Sequence, residues 1–440
     1  MPDLLDLSAR MIDTGVVDGP TNRVTQELSE VAEGVAVIES FSHVLLFETD
    51  EGLVAFDSSG APSAGAVVSA LRGWRADPVH TLIYTHGHVD HVGGSGALVA
   101  DAAERGHRRP RVVAHENVPA RFGRYVRTDG YNRVINRRQF GWLSDPNLRI
   151  ADAGGSGLAP GPGQQPARFL PEDVARPDVT YTDHLDLSVG GLDIRLHHAR
   201  GETDDHTWAW IPHHRAVCAG DFFIWNFPNA GNPQKVQRYP AEWAAALRAM
   251  AAQQPELFLP AHGLPIAGRE RIAGVLGEVA DVLEALVEQT VALMNDGATL
   301  DAVLQTVSVP DATLARPFLR PLYDEPEFVV RNIWRLYGGW YDGNPARLKP
   351  PADSHLAAEV AALAGGARAL AVRAEEVAAN GDLRLAAQLV EWAVQADPVD
   401  AGLHAVRSRI YRLRRNAEQS LMARGIFTSA AAESEVHAEG

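Results

Sequence analysis

The run Thr85-His86-Gly87-His88-Val89-Asp90-His91 places three imidazoles and a carboxylate within the six residues 86–91. It directly follows an apolar run, His80–Thr85, that reads as a β-strand, and it leads into Val92-Gly93-Gly94. A lone histidine is ordinarily a core or surface residue. Three of them in a Gly-containing turn at a strand end can converge on a metal. Imidazole nitrogen with carboxylate oxygen suits Zn, Fe or Mn better than Mg or Ca. Three further residues stand where strands are expected to run out. His206 lies in Gly201-Glu202-Thr203-Asp204-Asp205-His206-Thr207, Asp221 follows Gly220, and His262 lies in Pro260-Ala261-His262-Gly263. Open α/β folds place their chemistry at such positions.

Taken in order, His86-Gly-His88-Val-Asp90-His91, Gly-x4-His206-Thr, Gly220-Asp221 and His262-Gly resemble the pattern of metallo-β-lactamase-fold hydrolases, over residues 30 to about 268. The resemblance implies an αββα sandwich with two metals at one edge of the β layers. It implies a first site of His86, His88 and His206, a second of Asp90, His91 and His262, and Asp221 as the bridge. The ions implied are two divalent transition metals, Zn2+ foremost, with Fe or Mn as alternatives. Two such ions about 3.5–4 Å apart lower the pKa of a bridging water from about 16 toward 7, and so supply a hydroxide nucleophile. Asp90 and Asp221 are then the catalytic carboxylates, and no serine or cysteine nucleophile is needed. Cys218, on a strand leading to the site, reads as a buried core residue.

A second resemblance lies downstream. Arg331-Asn-Ile-Trp334-Arg-Leu-Tyr-Gly-Gly-Trp340-Tyr341-Asp-Gly-Asn-Pro-Ala346 is similar to the opening of the dimerisation domain of alkyl sulfatases. Gly381-Asp382 and Trp392-Ala393 through Ala396-Asp397-Pro398 resemble helical hairpins of the same domain. The match implies hydrolysis of a sulfate ester and a homodimer of two-fold symmetry. The chain departs from that family in two places. Alkyl sulfatases carry glutamates at two metal positions, which here read as His206 and Asp221. Their Thr-Leu-Arg-Gly segment is replaced by Asn229-Ala-Gly-Asn232-Pro-Gln-Lys235-Val-Gln-Arg238-Tyr239. Lys235 and Arg238 are the candidates to pair with a sulfate or phosphate, with Asn229 and Tyr131 as further substrate contacts.

The elements that must carry these residues follow from periodicity. Val35–Ile38, Val44–Glu48 and Val54–Asp57 read as a β-meander, and Ala61–Arg72 as a helix. Arg111–His115, Leu192–His197, Thr207–Ile211, Ala216–Ala219 and Leu257–Pro260 read as strands, and Ala241–Gln253 as an amphipathic helix. Residues 117–180 interrupt this pattern as an insert. Its first part is rich in arginines and aromatics, including Arg121, Tyr125, Tyr131, Arg137, Arg138 and Trp142, and is expected to cover the pocket. Its second part is rich in Gly and Pro, and is expected to be flexible. From about residue 270 the chain turns helical, with Ile272–Met294, Ala362–Asn380, Leu383–Ala396 and Ala401–Arg424 at helical spacing. The Asn-Gly-Asp and Asp-Pro-Val-Asp turns between the last three offer N-caps. The fold class expected is therefore α/β: a sandwich over 1–268, a helical domain over 269–428 and a flexible tail over 429–440. Tetratricopeptide-like hairpins offer a rival use of the helical domain, as a peptide-binding surface on a monomer.

Composition excludes several classes. With 46% hydrophobic and 22% charged residues the chain is not wholly disordered, and a single cysteine cannot build a disulfide framework. A net charge of -16 argues against nucleic acid as partner and leaves a small, anionic molecule open. No signal-peptide pattern or apolar run of membrane-spanning length occurs, so a cytoplasmic location and no membrane partner are expected. The competing functions are hydrolysis of another bond (lactone, amide, thioester or phosphodiester) and a redox reaction on the same fold. A flavodiiron protein would need a flavodoxin-like domain where this chain is helical. A non-catalytic scaffold would not need seven intact ligands.

Overall fold

Alternation of apolar residues builds the first sheet. The computed structural model describes residues 3–141 and 168–439. In it β1 (Leu28–Ala32), β2 (Val35–Ile38), β3 (Val44–Thr49) and β4 (Gly52–Phe56) form an antiparallel meander. Then β5 (Val79–Ile83), β6 (Arg111–His115) and β7 (Val179–Tyr181) add in parallel, giving seven strands in sequence order. Successive side chains face opposite ways. Val35, Val37, Leu45, Phe47, Val54 and Phe56 point into one core, and Ala36, Ile38, Leu46, Leu53 and Ala55 into another. The second of these is closed by the helices Ala64–Trp74, Ser95–Glu104 and Asn117–Arg127 through Val67, Leu71, Leu98, Phe122 and Tyr125.

The first core lies between two sheets. Its other wall is Ile194, Leu196, Ala209, Ile211, Cys218 and Leu259 of the second sheet. That sheet holds β8 (His184–Val189), β9 (Leu192–His198), β10 (Thr207–Ile211), β11 (Ala216–Gly220), β12 (Leu257–Pro260) and β13 (Ile266–Ala267), in the order β13-β12-β11-β10-β9-β8. Cys218 is fully buried and unoxidised there, as its apolar neighbours require. The helices Pro240–Ala252 and Arg269–Asn295 lie outside the second sheet, which completes the αββα layering expected from the motif.

The chain divides into two compact units. The first comprises residues 1–133, 149–298 and 302–339; the second comprises 134–148, 299–301 and 340–440. The helices Arg269–Asn295 and Pro326–Gly338 thus pack in the first unit, with the two sheets, where a separate helical domain was expected from 269. The insert, expected as an irregular cover, begins as helices Asn117–Arg127 and Asp129–Asn136 and a π-turn Arg137–Gly141. Phe122 and Tyr125 serve the core rather than a pocket. Trp142 and most of the Gly/Pro-rich segment, residues 142–167, lie outside the described residues.

The second unit is a set of alanine-rich helices. Asp353–Ala364, Ala367–Ala379, Leu383–Ala396 and Ala401–Ala417 share a core of Leu370, Ala374, Val377, Ala386, Val390, Ala393, Leu403 and Ile410. Asp382 caps one helix by accepting from Leu385 N at 3.0 Å, and Asp400 caps the next by accepting from Gly402 N at 2.8 Å. Each such cap is worth about 1 kcal/mol. Two expectations change here. The helix expected over 362–380 breaks at Gly365 and Gly366, whose φ of 90° and 119° only glycine adopts cheaply. The tail expected to fray is a helix, Leu421–Glu439. Its alanines and serines let it lie close on Ala401–Ala417, where Arg407 donates to Ala430 O and Ser434 Oγ and His404 stacks on His437 at 4.7 Å.

Candidate metal centre

The histidine turn is held from below. Asp57, at the end of β4 with φ 59°, accepts from Thr85 N at 2.8 Å and from Thr85 Oγ1 at 2.7 Å. Its Oδ2 also lies 2.7 Å from His91 Nδ1, which fixes that ring with Nε2 turned inward. Ser42 Oγ meets the same Nδ1 at 3.0 Å. Gly87 N donates to Asp205 at 3.1 Å, and Asp205 is paired at 2.7 Å with the buried guanidinium of Arg121, which also pairs with Asp204. A Cβ at position 87 would sit 2.9 Å from Arg121 Cδ, so glycine is required for this approach. Breaking a buried pair of this kind costs about 3–5 kcal/mol.

Above this support seven side chains form two groups of convergent donors. His86, His88, Glu202 and Asp221 offer atoms within 4.8 Å of one another, and so do Asp90, His91 and His262. Glu202 Oε1 lies 2.6 Å from His88 Nδ1 and 3.3 Å from His86 Nε2, and those two nitrogens are 2.9 Å apart. Asp90 Oδ2 lies 3.5 Å from both His91 Nε2 and His262 Nε2. Asp221 spans the groups. Its Oδ2 is 3.8 Å from His86 Nε2, while its Oδ1 is 3.3 Å from His91 Nε2 and 3.5 Å from His262 Nε2.

The electrostatics suit cations. Burial would raise the Asp221 carboxyl, but His91 and His262 outweigh it and bring it down to about 2. Burial likewise works against Glu202, yet His88, His86 and Arg238 hold it well below the usual carboxylate range. Burial pushes His88 down to about 4, so at neutral pH its lone pairs are available. His91 Nε2, Glu202 Oε1 and Asp221 Oδ1 are buried and, among the described residues, have only one another and the other ring nitrogens of the donor groups as polar neighbours. Buried polar atoms that face only one another are what a bound cation resolves. The residues present fit a pair of divalent ions.

One expected ligand is replaced. His206 is fully buried but outside the donor groups, and Glu202, four residues earlier in the same turn, takes that place. The reason is local. His206 Nε2 accepts the backbone N–H of Asp221 at 3.1 Å, and its ring stacks on Phe222 at 4.2 Å. The imidazole therefore backs the bridging residue instead of pointing to an ion. The histidine-for-glutamate departure read from the sequence thus dissolves at this position. Asp57 and Glu202 were both missed. A carboxylate after Gly201 in the turn that carries His206 was the available signal for Glu202; for Asp57 there was none beyond its place at a strand end.

The loop 228–239 borders the centre. Asn229 Nδ2 donates to Glu202 Oε2. Burial lowers Lys235 to about 8, and the ammonium lies in the field of Arg238, Asp90, Arg124 and Glu202. Arg238 is fully buried, its Nη1 donating to Val236 O at 3.1 Å and its Nε without a partner. Three of the four expected substrate contacts are thus gathered beside the donor groups. Tyr131 is not; it stands 61% exposed on the helix Asp129–Asn136.

With this geometry in place, the comparisons with known proteins agree. Residues 37–262, just over half of the chain, match the metallo-beta-lactamase superfamily, and the chain belongs to that superfamily. Residues 299–437 match the alkyl sulfatase dimerisation domain. A linear primary-alkylsulfatase of Pseudomonas sp. is 28% identical over 407 residues, which is 90% of this chain and 74% of that protein. The alkyl/aryl-sulfatase BDS1 of Saccharomyces cerevisiae is 27% identical over 335 residues, or 73% of this chain and 50% of its own. In structure the chain resembles the stereoselective inverting sec-alkylsulfatase Pisa1 from Pseudomonas sp., with a TM-score of 0.76 at 21% identity, covering 93% of this chain and 65% of that one. This likeness shows the shared fold. The chain spans half to three quarters of the length of these relatives.

Proposed function

We propose that this chain is a dinuclear metal-dependent hydrolase of sulfate esters. The observation that carries the proposal is the pair of donor groups joined by Asp221, with Lys235 and Arg238 beside them. His86, His88, Glu202 and Asp221 would hold one ion, and Asp90, His91, His262 and Asp221 the other. When bound, two divalent ions, Zn2+ foremost, supply Lewis-acid polarisation and acidify water at neutral pH. Lys235 and Arg238 offset the charge of the sulfate and orient it against the donor groups. Asn229 keeps Glu202 aimed inward. Asp221 and Asp90 both stay ionised beside His91 and His262, which outweigh burial and hold the two carboxyls below the usual range. The relatives named as alkylsulfatases support the sulfate ester over the other bonds. The alkyl sulfatase dimerisation match likewise supports a homodimer.

Purified protein is expected to hold close to two transition-metal ions per chain, to hydrolyse a primary alkyl sulfate, and to lose that activity on chelation. His88→Ala should drop turnover by about three orders of magnitude. Absence of metal, or activity indifferent to chelators, would remove the proposal. Turnover of a phosphodiester or lactone but of no sulfate would move it to the other hydrolytic reading. Light scattering at micromolar concentration should give twice the chain mass of 47.5 kDa; a constant mass near 47.5 kDa would exclude the dimer.

A further inference from the structure

The span that carries Lys235 has no regular structure of its own, and two side chains from almost a hundred residues away fix its two ends. At one end Asp324, fully buried, accepts the N–H of Gly231 at 2.6 Å and of Asn232 at 3.1 Å through Oδ2. Its Oδ1 accepts from Glu325 N at 2.8 Å. At the other end Asn332, also buried, brackets the backbone of Arg238. Arg238 N donates to Asn332 Oδ1 at 3.2 Å, and Asn332 Nδ2 donates to Arg238 O at 3.0 Å. Gln237 Nε2 adds a bond to Asn332 Oδ1 at 2.9 Å, and Arg335 Nε donates to Gln237 Oε1 at 2.9 Å. At Gly231 the two segments touch so closely that a Cβ would fall 2.4 Å from the Phe328 carbonyl carbon.

None of these residues reaches the donor groups, and none is needed to close the hydrophobic cores. What they do is hold the backbone at 231–232 and at 238, on either side of Lys235, whose ammonium lies in the field of Asp90 and Glu202. An unpinned loop would have to be ordered each time an anion arrived, at an entropic cost for every residue fixed. We propose that Asp324 and Asn332 are positioning residues for the anion subsite, holding the 231–238 loop so that the Lys235 and Arg238 head groups are set before the substrate binds. This inference rests on the reading of Lys235 and Arg238 as the sulfate contacts.

The probe is inorganic sulfate titrated calorimetrically into the metal-loaded protein, with metal content measured on every variant. Wild type binds sulfate, and Lys235→Ala weakens it. Asn332→Ala is expected to weaken it about tenfold with wild-type metal content, and to add less than about twofold on a Lys235→Ala background, because the pin acts through the cation. Asn332→Asp, of equal volume, keeps the acceptor for Arg238 N, replaces the donor to the Arg238 carbonyl by an oxygen and adds a charge that Arg335 adjoins. It guards against a folding defect and should weaken sulfate about threefold. Wild-type affinity in both Asn332 variants would overturn the inference. So would loss of metal in both, or a full tenfold loss on the Lys235→Ala background. If wild type ignores sulfate, or Lys235→Ala leaves its affinity intact, the anion reading itself fails and takes the inference with it; neither of those measurements involves Asn332.

Discussion

The donor groups and the loop beside them are held in opposite ways. The turns that carry the donor groups stand at strand ends and are backed by side chains from other strands and turns, Asp57 behind His91 and Asp205 behind Gly87, 34 and 118 residues away, while His206 supports the Asp221 amide. The loop 228–239 belongs to no strand or helix and depends on the side chains of Asp324 and Asn332 for its backbone position. Chemistry that requires lone pairs to converge imposes tight local spacing, which the sheet ends then make rigid. Recognition of an anion tolerates a looser frame, one held by side-chain hydrogen bonds to the backbone without a strand end beneath it. Damage to the first should therefore appear as lost metal and lost turnover, and damage to the second as weakened substrate binding.

The largest test of that contrast is the exchange of roles in the 201–207 turn. Glu202→Ala should remove one ion and lower turnover by about two to three orders of magnitude, whereas His206→Phe, which keeps the stack on Phe222, should retain both ions. Loss of an ion in His206→Phe with full occupancy in Glu202→Ala would restore the ligand set read from the sequence. A smaller effect is expected one layer out. Asp57→Asn removes the charge that orients His91 and should weaken metal binding about 10–100-fold, read by competition with a chelator. An unchanged affinity would mean that Ser42 and Thr85 suffice. The smallest effect separates the loop from the ligands. Burial brings Lys235 down from 10.5 to about 8, so its positive charge is present below that pH and is lost as pH rises through it. Sulfate affinity should fall about threefold between pH 7 and pH 9, with metal content constant. Lys235→Arg, charged throughout, should flatten the profile; a fall that persists in it would assign the titration to another group.

The sandwich and six of its seven proposed ligands were legible because short apolar runs and strand-end clusters are local. Arg111–His115, Thr207–Ile211 and Leu257–Pro260 follow the sequence pattern residue for residue. The seventh ligand was not, since Glu202 and His206 sit in one turn and only the direction of each side chain separates them. Spacing records that a residue is near, not which of its atoms is already spent on a backbone amide. The pins at Asp324 and Asn332 carried no motif at all, because a buried acceptor for two N–H groups leaves no periodicity. In the helical unit the caps at Asp382 and Asp400 were readable from their turns. The last helix was not, because its alanine- and serine-rich sequence gains stability from lying against Ala401–Ala417 and the turn Arg137–Gly141, which no local pattern records.

The placement of residues 302–339 bears on how the molecule can be cut. By family boundaries the catalytic part would end near residue 262 and a second module would start at 299. By packing, the catalytic unit runs on to Gly339. A chain ended at residue 298 would keep all seven proposed ligands yet lose both anchors of the anion loop. It would also bare apolar surface that the helix Pro326–Gly338 covers with Val329, Val330 and Ile333. Modular exchange at the apparent joint would thus deliver a metal-binding protein with a poorly formed recognition site.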